Sequence, residues 1–132
     1  MTSKVTYLGE LRTSSIHLQS GSEIITDAPT DNHGRGEAFS PTDMVANSLA
    51  TCMLSFMGIK ANELGVNLEG STADVTKTMQ AEPRKIAKIE VIFNMKSDAD
   101  EKSRIILERV ARSCAVGLSL NTDIVQDVTF NW

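Results

Sequence analysis

At 132 residues the chain is long enough to bury one real core, and 41% hydrophobic with 23% charged residues are globular proportions. Thirteen basic against 17 acidic side chains, a net charge of −4, leave no basic face of the kind nucleic acid requires. The longest uncharged run near the centre, Met44 to Ile59, is too short and too polar to span a bilayer, and the start, Met1-Thr2-Ser3-Lys4-Val5-Thr6-Tyr7, lacks the apolar core of an export signal. A single domain over residues 1–132 is therefore expected, cytoplasmic, with no nucleic-acid or membrane partner and with its thiols reduced at rest.

Three short strands are expected first, at Val5 to about Leu8, Leu11 to about Leu18 and Glu23 to Thr26. Gly9 and the cluster Gln19-Ser20-Gly21-Ser22 supply the turns of a meander. Asp27 to Glu37 is then a run of turn formers without periodicity, and a loop that long in a small domain is either functional or disordered. A helix begins sharply after it. Ser40 is a good N-cap, Pro41 suits the first helical position, and Asp43 follows Ser40 at capping-box spacing. Val45, Leu49, Cys52, Phe56 and Ile59 form one stripe, and Ala46, Ala50, Met53 and Met57 a second, so this helix should be central and covered on several sides. Gly65 is its expected stop.

Two strands follow, Val66 to about Met79 and Lys85 to about Lys96, with Glu82-Pro83-Arg84 as the turn. The second places Ile89, Val91, Phe93 and Met95 on one face and Lys88, Glu90 and Asn94 on the other. A second helix is expected from Ser97-Asp98 to about Gly117, with Ser103, Leu107, Val110 and Cys114 on one stripe, and Ile124 to Trp132 closes the chain as a strand. The order β-β-β-α-β-β-α-β, with clustered strands, is that of an α+β fold.

The candidate chemistry is thiol chemistry. The only two cysteines, Cys52 and Cys114, lie on the apolar stripes of the two helices, 62 positions apart, so only the fold can bring them together. A buried cysteine is commonly inert packing. Neither belongs to a Cys-x-x-Cys motif. Cys114 is expected near a helix C-terminus, where the macrodipole opposes a thiolate, so Cys52 is the better nucleophile and its cation must come from elsewhere in the fold.

An unperturbed cysteine, with a pKa of about 8.5, is roughly 3% thiolate at neutral pH. Lowering the pKa by about three units gains roughly 30-fold in thiolate, but intrinsic nucleophilicity falls by a similar factor. A fixed guanidinium contributes more by stabilising the oxyanion that leaves as a peroxide O–O bond breaks. Arg12, beside the first turn, and Arg35, in Gly34-Arg35-Gly36, are the candidates. His17 and His33 have no finger or ribbon spacing to the cysteines, and Gly34-x-Gly36 lacks a strand–turn–helix setting, so neither a metal nor a cofactor is expected.

Phe39-Ser40-Pro41-Thr42-Asp43-Met44-Val45 leading to Ala50-Thr51-Cys52-Met53, then Glu82-Pro83-Arg84-Lys85-Ile86, then Ser113-Cys114-Ala115-Val116, resemble the OsmC/Ohr family of osmotically inducible and organic-hydroperoxide-resistance proteins. The resemblance covers essentially the whole chain and includes the 11-residue interval from Pro41 to Cys52. It implies an OsmC-like intertwined homodimer with two central cysteine-bearing helices, reducing organic hydroperoxides with Cys52 as peroxidatic and Cys114 as resolving cysteine. It also implies Arg12 as the activating arginine and a dithiol reductant, of lipoyl type in the family. One position departs from the pattern: the glutamate that follows the proline in the peroxidases and holds the arginine is Thr42 here, with the acid one residue later at Asp43. Asp43 is accordingly a candidate partner for Arg12, and equally a simple helix cap. The departure keeps other readings open: an OsmC-fold protein that binds a small apolar ligand or serves a stress role without peroxide turnover, or a structural dimer whose cysteines only pack.

Overall fold

The computed structural model describes Met1–Trp132, which divide into two compact units, Met1–Val45 and Ala46–Trp132. In the first, β1 (Ser3–Gly9), β2 (Arg12–His17) and β3 (Glu23–Asp27) form an antiparallel meander. The turn after Gly9 passes through positive φ at Gly9, Glu10 and Leu11, and a register shift between Tyr7 and Gly9 accompanies it. The run from Asp27 to Glu37 is ordered. It holds a 3-10 turn at Thr30–Asn32 and folds back so that the Gly34 and Gly36 N–H groups donate to the Pro29 and Ala28 carbonyls. Gly34 is required there, because a Cβ would run into the Ala28 carbonyl. No hydrophobic residue before Ala46 is buried; the buried side chains of this unit are Ser14, Thr26, Asp27 and Ser40.

Helix α1 (Pro41–Leu64) starts as its sequence dictates. Ser40 Oγ accepts from the Asp43 N–H at 3.0 Å, and Asp43 Oδ2 accepts from the Ser40 N–H at 2.9 Å, a reciprocal capping box. At its other end Gly65 takes positive φ and the Val66 N–H returns to the Ala61 carbonyl. Twenty-four residues make α1 long and apolar enough to cross a membrane by length and composition alone, more than the run Met44–Ile59 implies. It is nevertheless the core helix of the second unit. Ala46, Leu49, Ala50, Met53, Met57 and Ala61 are buried, while of the other stripe Cys52 and Phe56 are half-buried and Val45 and Ile59 are exposed. The expectation of cover on several sides therefore holds for one stripe and fails for the other within the protomer.

The second sheet has the order β4-β5-β6, with β4 (Thr72–Gln80) antiparallel to β5 (Lys85–Asn94) and β6 (Val125–Asn131) parallel to it. β4 begins six residues later than expected, since 66–71 form a turn in which Asn67 Oδ1 accepts from the Glu69 N–H. Ile89, Val91 and Phe93 are fully buried, and Phe93 stacks on Phe130 with centroids 5.0 Å apart. The second helix is not continuous. α2 (Glu101–Ala111) is capped by Asp100, whose carboxylate accepts from the Ser103 N–H, and a break at Arg112–Cys114 precedes a five-residue helix, α3 (Ala115–Ser119). Gly117, expected to end the second helix, lies inside α3. The element order is that of an α+β fold, with one helix more than the sequence implies.

Candidate active site

Cys52 sits on α1 one turn after the buried Leu49 and is half-exposed; Cys114 is fully buried. The fold brings them together, close enough for Cys52 to raise the pKa of the Cys114 thiol. The dipole argument drawn from sequence reverses for Cys114. It is the N-cap of α3, with φ −66° and ψ 149°, and its Sγ accepts the Gly117 N–H at 3.3 Å.

Burial pushes the Cys114 thiol above the ordinary range, the backbone N–H groups of Gly117 and Val116 pull it back, and the neighbouring Cys52 raises it through its hydrogen bond and, when ionised, its charge.

Arg12 is clamped within the N-terminal unit. Its Nε donates to Asp27 Oδ1 at 2.7 Å and its Nη2 to Asp27 Oδ2 at 2.8 Å, with a further bond from Nη2 to Glu37 Oε2 at 3.1 Å. The Glu37 N–H also donates to Asp27 Oδ2, at 3.2 Å. A two-point fork of this kind fixes the plane of the guanidinium, and Nη1 is left without a hydrogen-bond partner. Hydrogen bonding to Asp27 raises the Arg12 pKa, and the same bonds hold the Asp27 carboxyl below its ordinary value despite its burial. Asp43 closes the α1 capping box, and Thr42 Oγ1 lies 3.2 Å from Ser40 Oγ. Arg35 pairs with Glu10. The carboxylates that hold Arg12 are therefore Asp27 and Glu37, where the sequence suggested Asp43.

Asp27 was legible in principle. The turn at Gln19–Ser22 sets a hairpin register that places Arg12 directly opposite Asp27, a cross-strand pair of opposite charge. Assigning Asp27 to the loop hid it.

The depressed pKa has a direct consequence. Asp27 contributes stability that is complete above the unfolded-state value of about 3.9 and is lost as pH falls through the lower folded-state value, because the unfolded chain binds the proton more tightly there. Thermal unfolding of Asp27→Asn between neutral pH and pH ~2 should show a lower melting temperature at neutral pH and a shallower acid limb than wild type. Parallel acid limbs would contradict the clamp.

A family model for OsmC-like protein matches residues 34–129. Among solved structures, the chain is 50% identical to a protein from Psychrobacter arcticus 273-4, provisionally described as an osmotic stress induced and detoxification response protein; the match covers 99% of this chain and 96% of that one, with a TM-score of 0.96. At 15% identity it shares the fold of an organic hydroperoxide resistance protein OsmC from Legionella pneumophila, covering 100% and 98% of the two chains with a TM-score of 0.73. At 18% identity it shares the fold of a provisionally assigned organic hydroperoxide resistance protein from Vibrio cholerae O1 biovar eltor str. N16961, which holds captopril in one of its active sites; coverage is 99% and 92%, with a TM-score of 0.72. No curated protein matches. The family model spans well over half of the chain, and the chain belongs to the OsmC-like protein family.

Proposed function

We propose that this protein is a cytoplasmic thiol-dependent peroxidase that reduces organic hydroperoxides and works as a homodimer. The observation that carries the reading is the pairing of a half-exposed Cys52 with a buried Cys114, close enough for one thiol to perturb the other. The Cys52 thiolate attacks the outer oxygen of the hydroperoxide, the O–O bond breaks, and the alkoxide leaves to take up a proton as alcohol. Cys52 is then a sulfenic acid. Cys114 displaces its hydroxyl as water to form the disulfide, and a dithiol reductant, of lipoyl type by family resemblance, restores both thiols. By family resemblance, Arg12, held flat by Asp27 and Glu37, corresponds to the arginine that activates the peroxidatic cysteine. The half-buried Phe56 beside Cys52 on α1 favours an alkyl group over hydrogen peroxide.

The homodimer accounts for what the protomer leaves uncovered. Val5, Tyr7, Leu8 and Ile24 are exposed in a three-stranded sheet with no buried apolar residue of its own, Phe39 is exposed just before α1, and Val45 and Ile59 are exposed on α1. An isolated sheet of that kind is marginal in water, and a second copy provides the missing cover.

Thr42 supports a second reading, a binder of small apolar ligands without turnover. An open cavity of about 470 Å³ is lined by Ile25, Gly36, Glu37, Ala38, Phe39 and Asp43, the neighbour of Thr42 in sequence. Steady-state turnover of cumene hydroperoxide with a dithiol separates the two. Arg12→Ala should lose about 10²–10³-fold in kcat, the scale of removing one oxyanion donor. Thr42→Glu should change the rate by less than about threefold, because Asp27 and Glu37 already hold the arginine. A large gain in Thr42→Glu over a nearly inactive wild type would favour the binding reading.

A further inference from the structure

β6 contains a local conflict. Gln126, Val128 and Phe130 share one face of the strand and are half-buried, and Val128 and Phe130 pack on the core, whereas the apolar Val125 is exposed. A polar amide on the packed face, next to an apolar side chain on the wet one, inverts the expected pattern, and such an inversion marks a site where something is gained in return. The gain is a pair of linked hydrogen bonds. Gln126 Nε2 donates to the Gly117 carbonyl at 2.8 Å, and the Gly117 N–H donates to Cys114 Sγ at 3.3 Å. Gly117 is thus held between β6 and the sulfur. A side chain there is a tight fit, since a Cβ would meet Gln126 Oε1 at 3.0 Å, Cys114 Sγ at 3.3 Å and Leu49 Cδ1 at 3.4 Å.

We propose that Gln126 is a positioning residue for closure of the disulfide, anchoring Gly117 through its carbonyl so that the N–H of the same residue, on the preceding peptide group, stays on Cys114 Sγ as that sulfur attacks the Cys52 sulfenic acid. The proposal rests on the peroxidase reading. In this step the Cys114 thiol loses its proton, the S–S bond forms, the Cys52 S–O bond breaks, and the departing hydroxide takes the proton to leave as water. No outside oxidant or reductant enters.

A buried thiol supplies thiolate poorly, and a hydrogen-bond donor aimed at the sulfur favours the charged form. Bonds to an ionised acceptor are roughly twice as strong as neutral ones, so the Gly117 N–H contributes most as the thiolate develops. Its direction matters for the same reason. A helix of five residues has little rigidity of its own, and Gln126 ties it to β6, where Gln126 pairs in register with the fully buried Ile89.

The test uses Gln126→Met, which keeps the length and loses the donor, and Gly117→Ala as an independent perturbation of the same residue. In a Cys52→Ser background, ultraviolet titration of the single remaining thiol should show the Cys114 midpoint moving up by about one unit in Gln126→Met, a tenfold loss of thiolate at a given pH. In the two-cysteine protein, stopped-flow mixing with one equivalent of cumene hydroperoxide separates sulfenic acid formation from disulfide closure. Closure should slow about tenfold relative to formation, with its pH profile displaced upward to match the titration, and Gly117→Ala should act in the same direction. An unchanged Cys114 titration with unchanged closure in either folded variant overturns the proposal, as does equal slowing of both steps without a shift in the titration. If wild type consumes no hydroperoxide, the peroxidase reading fails on its own, while the titration still decides whether Gln126 acts on Cys114.

Discussion

Cys52→Ser is expected to abolish hydroperoxide-dependent oxidation of a dithiol, with a loss on the order of 10³-fold or more, the scale on which removing a covalent nucleophile acts. Cys114→Ser should behave differently. Its Cys52 remains available, so one equivalent of hydroperoxide is consumed and a sulfenic acid accumulates, open to trapping by a dione reagent, while turnover with a dithiol falls steeply. The contrast follows from exposure, since Cys52 is half-exposed and Cys114 is buried behind it. Equal rates for wild type and Cys52→Ser would leave the two cysteines as packing.

Ile59→Asp is expected to have the largest effect on assembly. Ile59 is 63% exposed in the protomer and lies on the α1 stripe with Val45, Cys52 and Phe56, the stripe assigned to the second copy. A carboxylate placed in an apolar interface without a partner costs several kcal/mol, and about 3–4 kcal/mol corresponds to a loss of roughly 10²–10³-fold in dimer affinity. Wild type should sediment at twice the protomer mass at micromolar concentration, and Ile59→Asp should shift toward monomer. The N-terminal sheet should then become more protease-sensitive, because it buries no hydrophobic residue of its own. A monomeric wild type would remove the dimer from the account.

Much of the scaffold was legible because each signal was local. Ser40, Pro41 and Asp43 start α1 and Gly65 ends it, as capping chemistry requires. The alternation Ile89, Val91, Phe93 marks the buried face of β5. The extended reading of the second helix failed because a break that keeps Cys114 in extended φ/ψ leaves the apolar spacing almost unchanged, so periodicity alone carries no sign of it. Val66–Ser71 reads as strand by composition but is turned by Asn67 and Gly70.

Within the candidate site, the cysteines and Arg12 are candidates that the sequence and its family resemblance single out, whereas the partners of Arg12 escaped the sequence reading. Asp27 and Glu37 reach Arg12 from 15 and 25 positions away, through a strand register and an ordered loop. Gln126 reaches Gly117 through a parallel strand pairing that no local pattern encodes. Its one sequence trace is a polar residue in phase with Val128 and Phe130.

The central claim is that Cys52 and Cys114 form a redox couple driven by an organic hydroperoxide. Peptide mapping of the fully reduced protein after one equivalent of cumene hydroperoxide tests it most directly. The account predicts loss of both free thiols, one molecule of the corresponding alcohol per chain, and a peptide pair joined through Cys52 and Cys114 within a single chain. Intact hydroperoxide with both thiols still free, or a disulfide joining two copies of Cys52 with Cys114 unreacted, would contradict it.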